Sequence, residues 1–419
     1  MERIVVRGGA RLEGEVRASG SKNSALALLA ASLLAEGTTV LRNVPRVRDV
    51  FAMLDLLRAL GARADFTAED PHCVRIQADG VGEPEAPYEL VRKMRASFMV
   101  LGPLLARFGV GRVSEPGGCA IGVRPVDQHL KGLEALGAKV QLDHGTIEAS
   151  GAPLTGGRFR FDRVTVNGTQ NVMMAATLAE GESVLENCAR EPEVVELADV
   201  LNRMGAEIRG AGSASLQITG VSSLRGLTHA ISGDRIEAGT LLVAGMITKG
   251  EVRVTGLDSS HLDNILDKLR ETGAELRVDY DAVTVFCNEA SKALQVRTAP
   301  YPGFPTDMQA QLMALLCVGS ASSVVTETVF ENRFMHVPEL VRMGADISLD
   351  GRSAHVHGVT KLLGAPVMAT DLRASASLLL AGLAAQGETV VSRVYHIDRG
   401  YERIEEKLRS LGAEIRRED

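Results

Sequence analysis

The chain has 419 residues, of which 45% are hydrophobic and 24% charged, a composition typical of a globular protein with two or three domains. Its formal net charge of −7 excludes a general nucleic-acid coat, because such a coat needs surplus positive charge. No apolar run reaches the ~18 residues of a transmembrane helix, and the first residues lack the pattern of a signal peptide. The sequence therefore predicts a cytoplasmic protein that binds neither nucleic acid nor a membrane.

Cofactor and metal motifs are missing from the sequence. The five widely spaced cysteines match neither a disulfide framework nor the ligand spacing of a zinc site. The histidines also lack metal-ligand spacing, and neither a Walker loop nor a dinucleotide-binding glycine motif occurs. The sequence therefore supports no ATP or NAD site and predicts no bound metal.

A helix-ending pattern recurs six times, at intervals of roughly 70 residues. In each copy an amphipathic segment ends in Gly-Ala, at Gly61, Gly137, Gly205, Gly273, Gly344 and Gly412. Glycine adopts a left-handed C-cap at least cost, so each copy predicts the end of a helix. The alternating segment that follows each glycine predicts a strand. A second glycine precedes four of these helix ends, at Gly37, Gly181, Gly250 and Gly387.

Strongly apolar stretches lie before these four glycines, at residues 25–34, 172–178, 241–247 and 378–385, and a fifth stretch, 312–318, lies before a looser copy of this glycine pattern around Gly319. They are apolar nearly all round, which predicts buried helices. One repeat is therefore predicted as strand, buried helix, strand, amphipathic helix and further strands. Six repeats favour two similar α/β domains of three repeats each. A continuous solenoid is the alternative, but neither end carries an obvious polar capping repeat.

Charged residues stand at the predicted starts of the buried helices. Lys22, Arg95 and Arg373 oppose the positive end of the helix dipole, which indicates a purpose beyond local stability. Asp307, Asp371 and Thr169 are interpreted there first as helix caps.

Three more arginines, Arg124, Arg333 and Arg399, stand in turn-like contexts at equivalent places in the repeats. Guanidinium groups pair bidentately with phosphate and carboxylate groups. The sequence therefore predicts a small, doubly anionic substrate.

Cys119 lies in a glycine-rich segment with Gly117, Gly118 and Gly122. The glycines predict a mobile loop, and the nearby Arg124 would lower the pKa of the thiol. Cys119 is therefore predicted to be reactive, and the other four cysteines are predicted to be inert thiols.

At these residues the sequence resembles the enolpyruvyl transferases, and the resemblance covers the whole chain. It rests on residues 19–23, 95–97, 116–127, 304–311, 328–336, 371–375 and 395–403. The resemblance implies an α/β protein of two similar domains, each of three repeated units with buried helices surrounded by sheets, an inside-out α/β barrel type. One domain would span 22–232 and carry the Cys119 loop, and the other would combine 1–21 with 233–419. Active-site residues of both domains would meet in a cleft.

The resemblance also implies an activity, the transfer of the enolpyruvyl group of phosphoenolpyruvate to the 3-hydroxyl of UDP-N-acetylglucosamine. Phosphate would be released without a metal or organic cofactor, and no obligate protein partner is evident. This reaction would be the first committed step of peptidoglycan precursor synthesis in the bacterial cytoplasm, with fosfomycin as an inhibitor.

Two alternatives stay open at this point. One is transfer to shikimate 3-phosphate, and the other is a non-catalytic paralogue that binds a nucleotide sugar. The segment 116–127 favours the nucleotide sugar over shikimate 3-phosphate. Retention of Lys22, Cys119, Asp307 and the arginines argues against a non-catalytic copy.

Residue roles are implied by the same resemblance. Lys22, Arg124 and Arg399 would hold the phosphate, and Arg333 and Arg373 would join Arg399 at the carboxylate. Asp307 would lie near the sugar hydroxyl as a base or proton acceptor. Cys119 would act as an acid or through a covalent adduct. The remaining substrate-binding residues would be Asn23, Arg48, Arg95, Pro125, Val126, Asp127, Thr165, Val166, Asn167, Val329 and Asp371.

Overall fold

The structure is a computed structural model that describes residues 2–82, 84–92, 94–115 and 125–419. These residues form two compact units. The terminal unit consists of residues 2–19 and 233–419, and the central unit consists of the described residues between 20 and 232. Each unit has its own hydrophobic core.

The helices follow the repeats in chain order. The α-helices are α1 Lys22–Ala31, α2 Arg48–Ala59, α3 Tyr88–Val91, α4 Leu101–Phe108, α5 Asp127–Ala135, α6 Val166–Ala176, α7 Pro192–Arg203, α8 Arg235–Ile247, α9 Asp263–Glu271, α10 Gln309–Cys317, α11 Val337–Arg342, α12 Ala376–Ala384 and α13 Ile404–Ser410. Short 3₁₀ helices span Ser32–Leu34, Arg95–Val100, Ser259–Leu262, Thr306–Met308 and Val394–Arg399.

The strands between the helices are short. They are β1 Arg3–Arg7, β2 Glu13–Arg17, β3 Ala35–Glu36, β4 Thr38–Arg42, β5 Arg63–Phe66, β6 Val74–Gln77, β7 Glu85–Ala86, β8 Val110–Ser114, β9 Lys139–Asp143, β10 Thr146–Ser150, β11 Arg158–Arg160, β12 Glu182–Glu186, β13 Glu207–Arg209, β14 Ser215–Thr219, β15 Leu224–Arg225, β16 Thr228–Ala230, β17 Glu251–Thr255, β18 Glu275–Val278, β19 Ala282–Phe286, β20 Gln295–Arg297, β21 Ser322–Thr326, β22 Asp346–Asp350, β23 Ser353–His357, β24 Leu362–Leu363, β25 Pro366–Met368, β26 Ala385–Gln386, β27 Glu388–Ser392 and β28 Glu414–Glu418.

Four-stranded sheets repeat with one pattern in the described residues. The central unit contains the orders β16-β4-β6-β5, β7-β8-β10-β9 and β11-β12-β14-β13. The terminal unit contains β18-β19-β17-β2, β20-β21-β23-β22 and β25-β27-β1-β28. In every one of these sheets one edge strand is parallel to its neighbour and the other two pairings are antiparallel. The shared pattern is the structural form of the sequence repeat.

The apolar stretches form the predicted buried helices. All residues of α8 are buried, and α8, α10 and α12 pack on one another at the core of the terminal unit. In the central unit, α4 packs on α6, and the 3₁₀ turn Arg95–Val100 packs on both α1 and α6. Each fully buried leucine of these helices contributes about 1.5–3 kcal/mol through removal of its side chain from water. These helices are therefore a main source of stability in both units.

The six predicted C-cap glycines all have left-handed backbone, with φ between 87° and 113°. This confirms the predicted helix ends. Of the second set, Gly37, Gly181 and Gly387 are also left-handed. Gly250 differs, because Lys249 before it takes the positive φ of 54°. Glycine is needed at position 250 because a Cβ there would lie 2.0 Å from the Leu12 carbonyl oxygen.

Two strands pair away from the helix that follows them in the chain. β2 precedes α1 of the central unit, yet β2 pairs with β17 in a sheet of the terminal unit. Conversely, β16 precedes α8 of the terminal unit, yet β16 pairs with β4 in the central unit. The terminal unit is therefore completed by β2, which the whole central unit separates in sequence from β17, whereas β16 is the last strand of the central unit before the chain crosses to α8. Within the described residues, no helix has both the length and the apolar character to cross a bilayer.

Candidate active site

Arg333 is the centre of a charged cluster in the terminal unit. It follows β21 and is only 5% exposed. Its Nη2 lies 2.7 Å from Oδ1 of Asp307, and its Nε lies 3.5 Å from Oδ2 of Asp371. Its Nη1 donates to Thr306 Oγ1 at 3.0 Å. The structure therefore brings three of the predicted site residues, Asp307, Arg333 and Asp371, into one cluster.

Electrostatics keep Arg333 charged in this cluster. Burial alone would lower the pKa of its guanidinium, but the carboxylates of Asp307 and Asp371 outweigh burial and raise that pKa. A guanidinium carries five N–H groups. Nη2 contacts Asp307 and Nη1 donates to Thr306, whereas the 3.5 Å approach of Nε to Asp371 is an ion pair without a hydrogen bond. Arg333 is therefore held mainly by Asp307 and Thr306.

Asp371 shapes the turn that precedes α12. Its Oδ1 accepts hydrogen bonds from the backbone N–H groups of Arg373 and Ala374, at 2.7 and 2.8 Å. The interpretation of Asp371 as a cap is therefore confirmed, although it caps a turn and α12 begins only at Ala376. Among the described residues, Asp371 Oδ2 has no hydrogen-bond partner.

Arg373 is almost completely buried, with 1% of its surface exposed. Its Nη2 donates to Asp234 Oδ2 at 2.7 Å, and its Nη1 donates to the carbonyl oxygen of Gly400 at 2.8 Å. The guanidinium carbon also lies 4.9 Å from the ring centre of Tyr401. A contact between Arg373 and a substrate carboxylate stays a prediction.

Arg399 ends the 3₁₀ turn Val394–Arg399 and is half-buried. It lies directly before Gly400, the residue whose carbonyl oxygen binds Arg373. The pKa of His396 is lowered by burial and by the charge of Arg399. Arg399 therefore places a positive charge next to Gly400, the residue that Arg373 binds.

Glu327 is hydrogen-bonded to Thr306, which also contacts Arg333 in this cluster. It is 1% exposed and directly follows β21, and its Oε2 accepts from Thr306 Oγ1 at 2.8 Å. Its Oε1 accepts from the backbone N–H of Val329 at 2.7 Å. Val329, a predicted substrate contact, is thus tied through Glu327 and Thr306 to Arg333.

Lys22 is the first residue of α1 in the central unit. Its side chain is buried, and its Nζ lies 3.4 Å from Oδ2 of Asp49 in the first turn of α2. The Ser21 hydroxyl caps α1 by accepting from the N–H of Ser24. The charge of Asp49 offsets the unfavourable position of a cation at a helix N-terminus. Arg48 is exposed at the first position of α2.

Arg95 begins the 3₁₀ turn Arg95–Val100 and is half-buried, as is Asn23 on α1. This turn packs on α1, and α4 after it packs on the 3₁₀ turn Ser32–Leu34 that follows α1. The two segments therefore run in the same direction. This direction places the starts of both segments, and with them Lys22 and Arg95, at the same end of the central unit.

Asp127 begins α5, after the exposed Pro125 and the buried Val126. Its carboxylate accepts from Gln128 Nε2 at 2.9 Å and from Arg163 Nη2 at 2.5 Å. Burial alone would raise the pKa of Asp127, but the Gln128 hydrogen bond and the Arg163 charge lower it. Asp127 is therefore held as an anion.

The start of α6 carries three predicted nucleotide-sugar contacts, Thr165, Val166 and Asn167, all half-buried. Thr165 is the N-cap, since its hydroxyl accepts from the N–H of Gly168 at 3.3 Å. The interpretation of Thr169 as a cap was wrong. Thr169 lies inside the helix, where its buried hydroxyl accepts from the N–H of Ala189 at 3.1 Å.

Two predicted residues, Cys119 and Arg124, lie outside the described residues. The other four cysteines are free thiols. Burial raises the pKa of Cys188 and of Cys317 to about 12 and also raises the pKa of Cys287.

Sequence reasoning missed several residues that hold the site. Glu327, Asp49 and Asp234 each place a buried carboxylate against a predicted cation or its neighbour. Only weak signals could have found them: Glu327 follows a strand, Asp49 follows Arg48 in a helix start, and Asp234 caps α8. None of these signals names the partner residue.

Comparison with known proteins gives a family for the chain. Residues 6–408 match the family model described as EPSP synthase (3-phosphoshikimate 1-carboxyvinyltransferase). The UDP-N-acetylglucosamine 1-carboxyvinyltransferase of Myxococcus xanthus is 58% identical over 418 residues, which cover 100% of both chains. The protein of the same name from Anaeromyxobacter sp. strain Fw109-5 is also 58% identical, over 421 residues and 100% of both chains.

Solved structures of similar fold agree with this match. The enolpyruvyl transferase NikO from Streptomyces tendae has a TM-score of 0.88 at 27% identity, covering 99% of this chain and 98% of its own. EPSP synthase from Acinetobacter baumannii has a TM-score of 0.78 at 18% identity, covering 100% of both chains, and supports the fold alone. The predicted fold class, α/β with repeated units in two similar halves, is thereby confirmed. The chain therefore belongs to the EPSP synthase family of enolpyruvyl transferases.

Proposed function

We propose that this protein transfers the enolpyruvyl group of phosphoenolpyruvate to the 3-hydroxyl of UDP-N-acetylglucosamine and releases phosphate. The observation that carries the proposal is 58% identity, over the whole length of both chains, to relatives named for this reaction. The cluster around Arg333 adds a physical argument, because it supplies a charged guanidinium beside a carboxylate. Transfer to shikimate 3-phosphate is the alternative acceptor reaction within the family.

The carboxylate of phosphoenolpyruvate is assigned to Arg333, Arg373 and Arg399. The guanidinium of Arg333 is kept charged and held in place by Asp307 and Thr306, which suits binding of a carboxylate. Arg373 supports this arrangement by holding Gly400, next to Arg399. Arg48 and Arg95 are further candidates for binding the anion.

The phosphate is assigned to Lys22, Arg124 and Arg399. Preorganised cations of this kind stabilise charge that develops on a departing phosphate. Lys22 is already held by the carboxylate of Asp49, so its ammonium needs little reordering to meet an anion.

The reaction needs three proton movements. In the addition step the sugar hydroxyl loses its proton as its oxygen forms a bond to the central carbon of phosphoenolpyruvate, and the methylene carbon gains a proton. In the elimination step the bond to the phosphate oxygen breaks, phosphate leaves with the electron pair, and the new methyl group loses a proton. We assign Asp307 to the sugar hydroxyl, as base or as acceptor during elimination, and Cys119 to the methylene carbon, as acid or through a covalent adduct.

The nucleotide sugar is assigned to Asn23, Asp127, Val329 and the start of α6 at residues 165–167, with Pro125 and Val126 beside Asp127. Asp127 is an anion and therefore suits hydroxyl or amide donors of the sugar better than its phosphates. Under this proposal the terminal and central units are the two catalytic domains of the enzyme. The reaction would open peptidoglycan precursor synthesis in the bacterial cytoplasm.

The test is an acceptor comparison with the purified full-length chain. Phosphate release is measured with phosphoenolpyruvate and either UDP-N-acetylglucosamine or shikimate 3-phosphate. We expect release with the nucleotide sugar and none with shikimate 3-phosphate. The reverse preference would replace the proposal by the alternative acceptor, and release with neither would leave a non-catalytic binding protein.

A further inference from the structure

We propose that Glu327 is a positioning residue for the reaction, which fixes Arg333 and Asp307 through the hydroxyl of Thr306. This inference rests on the proposed function for its catalytic meaning. Glu327 is absent from the roles derived above, because no direct contact with a substrate is assigned to it.

Glu327 accepts from four donors that come from three places in the fold. Its Oε1 accepts from Thr298 Oγ1 at 2.7 Å and from the backbone N–H groups of Val329 and Phe330 at 2.7 and 3.1 Å. Its Oε2 accepts from Thr306 Oγ1 at 2.8 Å. A buried carboxylate is costly unless it is hydrogen-bonded, and these four bonds offset that cost. The carboxylate therefore joins the residue after β20, the segment after β21 and the 3₁₀ turn Thr306–Met308 that precedes α10.

Thr306 transmits this constraint to Arg333. A hydroxyl has one proton, and Thr306 gives it to Glu327. Its lone pairs are then available to accept from Arg333 Nη1, at 3.0 Å. The direction of both hydrogen bonds is thus set by the acceptor-only carboxylate.

Asp307 is fixed by the same chain of contacts. It follows Thr306 in the sequence, and its Oδ1 lies 2.7 Å from Arg333 Nη2. Arg333 and Asp307 are therefore held from both sides: through Thr306 to Glu327 and through their own ion pair. The negative charge of Glu327 also favours the charged form of Arg333.

Two single variants and their combination test this relay, the hydrogen-bonded path from Glu327 through Thr306 to Arg333. Glu327→Gln keeps the side-chain shape but removes the charge and places an amide N–H₂ or a single oxygen toward Thr306. Thr306→Val keeps the volume and the Glu327 charge but removes the hydroxyl. We expect each variant to lower kcat by about 10- to 100-fold, because small displacements of catalytic groups have effects of this size. KM for the nucleotide sugar should stay close to the wild-type value, since the amide oxygen of Glu327→Gln can still accept from Val329.

Coupling between the two positions separates a relay from two independent structural roles. In the double variant we expect a loss no greater than that of the more damaging single variant, because both changes break the same path. The matched control is Glu339→Gln, a buried carboxylate of the same unit that accepts from the N–H of Met368 and lies 3.7 Å from Arg342. This control should keep the wild-type kcat.

The outcomes divide cleanly. Wild-type kcat in Glu327→Gln, or losses that multiply in the double variant, would overturn the positioning role. If Glu327→Gln fails to fold, Thr306→Val alone tests the positioning role, and wild-type kcat in that variant would also overturn it. If the wild-type chain releases no phosphate with either acceptor, the proposed function fails, and crystal structures of the variants then test the relay. A lengthened Arg333–Asp307 contact would support it, and an unchanged 2.7 Å contact would contradict it.

Discussion

Arg373 donates from Nη2 to Oδ2 of Asp234 at 2.7 Å, and this ion pair ties the turn before α12 to the N-terminus of α8. The two side chains are 1% and 4% exposed. Asp234 also caps α8, because its other oxygen accepts from the N–H groups of Ile236 and Glu237. One carboxylate thus fixes the start of a buried helix and neutralises a buried guanidinium.

Removal of the Asp234 charge should be strongly destabilising. Asp234→Asn retains a capping side chain but leaves Arg373 buried without its counter-charge. Loss of one partner of a buried ion pair costs about 3–5 kcal/mol. Denaturant unfolding of wild type and variant measures this difference. The control is Glu406→Gln, which removes an exposed pair with Arg403 and should cost less than about 1 kcal/mol. Equal losses of unfolding free energy in the two variants would show that the buried ion pair contributes no more to stability than the exposed one.

The predicted anion-binding cations should be needed for turnover. For Lys22→Ala and Arg399→Ala we expect kcat/KM for phosphoenolpyruvate to fall by about 100-fold or more, since preorganised charges contribute effects of this size. The unfolding midpoint of Arg399→Ala should change little, whereas Lys22→Ala should also lower the midpoint, because it removes the ammonium that pairs with the buried carboxylate of Asp49. Steady-state kinetics and thermal unfolding check the two halves of this prediction. Unchanged kinetics in both variants would remove these residues from the anion site.

Cys119 should be alkylated before the other cysteines. A thiolate is the reactive form, and burial raises the pKa of Cys188 and of Cys317 to about 12. At neutral pH those two thiols are therefore almost entirely protonated, whereas the sequence places Cys119 between glycines near Arg124. Timed treatment with iodoacetamide, followed by peptide mapping, ranks the five sites. Earlier labelling of Cys188 or Cys317 would contradict the prediction.

Fosfomycin, which the family resemblance implies as an inhibitor, should form its adduct on Cys119. Its phosphonate would occupy the anion site and hold the epoxide carbon near sulfur, so the attack becomes effectively intramolecular. Cys119→Asp keeps an acid but loses the soft nucleophile, so this variant should retain turnover and resist fosfomycin. Intact-protein mass spectrometry and inhibition assays give the readout. Full sensitivity of the aspartate variant would refute this role.

His336 should make the protein less stable in mild acid. It has no exposed surface, and burial lowers its pKa to about 4 from an ordinary 6.5. Between these pH values the unfolded chain binds the proton and the folded chain does not, so stability falls as the pH drops from 6.5 toward 4. The full loss is roughly 3 kcal/mol by the conversion of pKa into free energy.

The His336 effect is measured as a difference between variants. His336→Gln should flatten the pH dependence of the unfolding free energy by that amount between pH 7 and pH 4. His357→Gln, at an exposed position on β23, should keep the wild-type slope. An identical slope in His336→Gln and wild type would show that the buried imidazole does not contribute.

Periodic local features of the fold could be predicted from the sequence. The apolar stretches form helices such as α8 and α12 with the expected burial, because a helix without a polar face is stable only when all its sides are removed from water. The left-handed glycines after the amphipathic helices were equally readable, since their conformation excludes most other residues. Among site residues, Asp307, Arg333 and Asp371 were found through their motifs, and the structure joins them in one cluster.

What the sequence by itself determined, therefore, was the set of elements, their burial and the chemical types available at their ends. The tertiary structure decided which elements and charges meet. β2 and β16 each pair within their own unit although each directly precedes a helix of the other unit. Glu327 is linked to Arg333 by the hydroxyl of Thr306, and Asp234 pairs with Arg373, which lies far from it in the sequence. Periodicity reports the environment of a residue, whereas the partner of a buried charge depends on three-dimensional packing between segments distant in sequence.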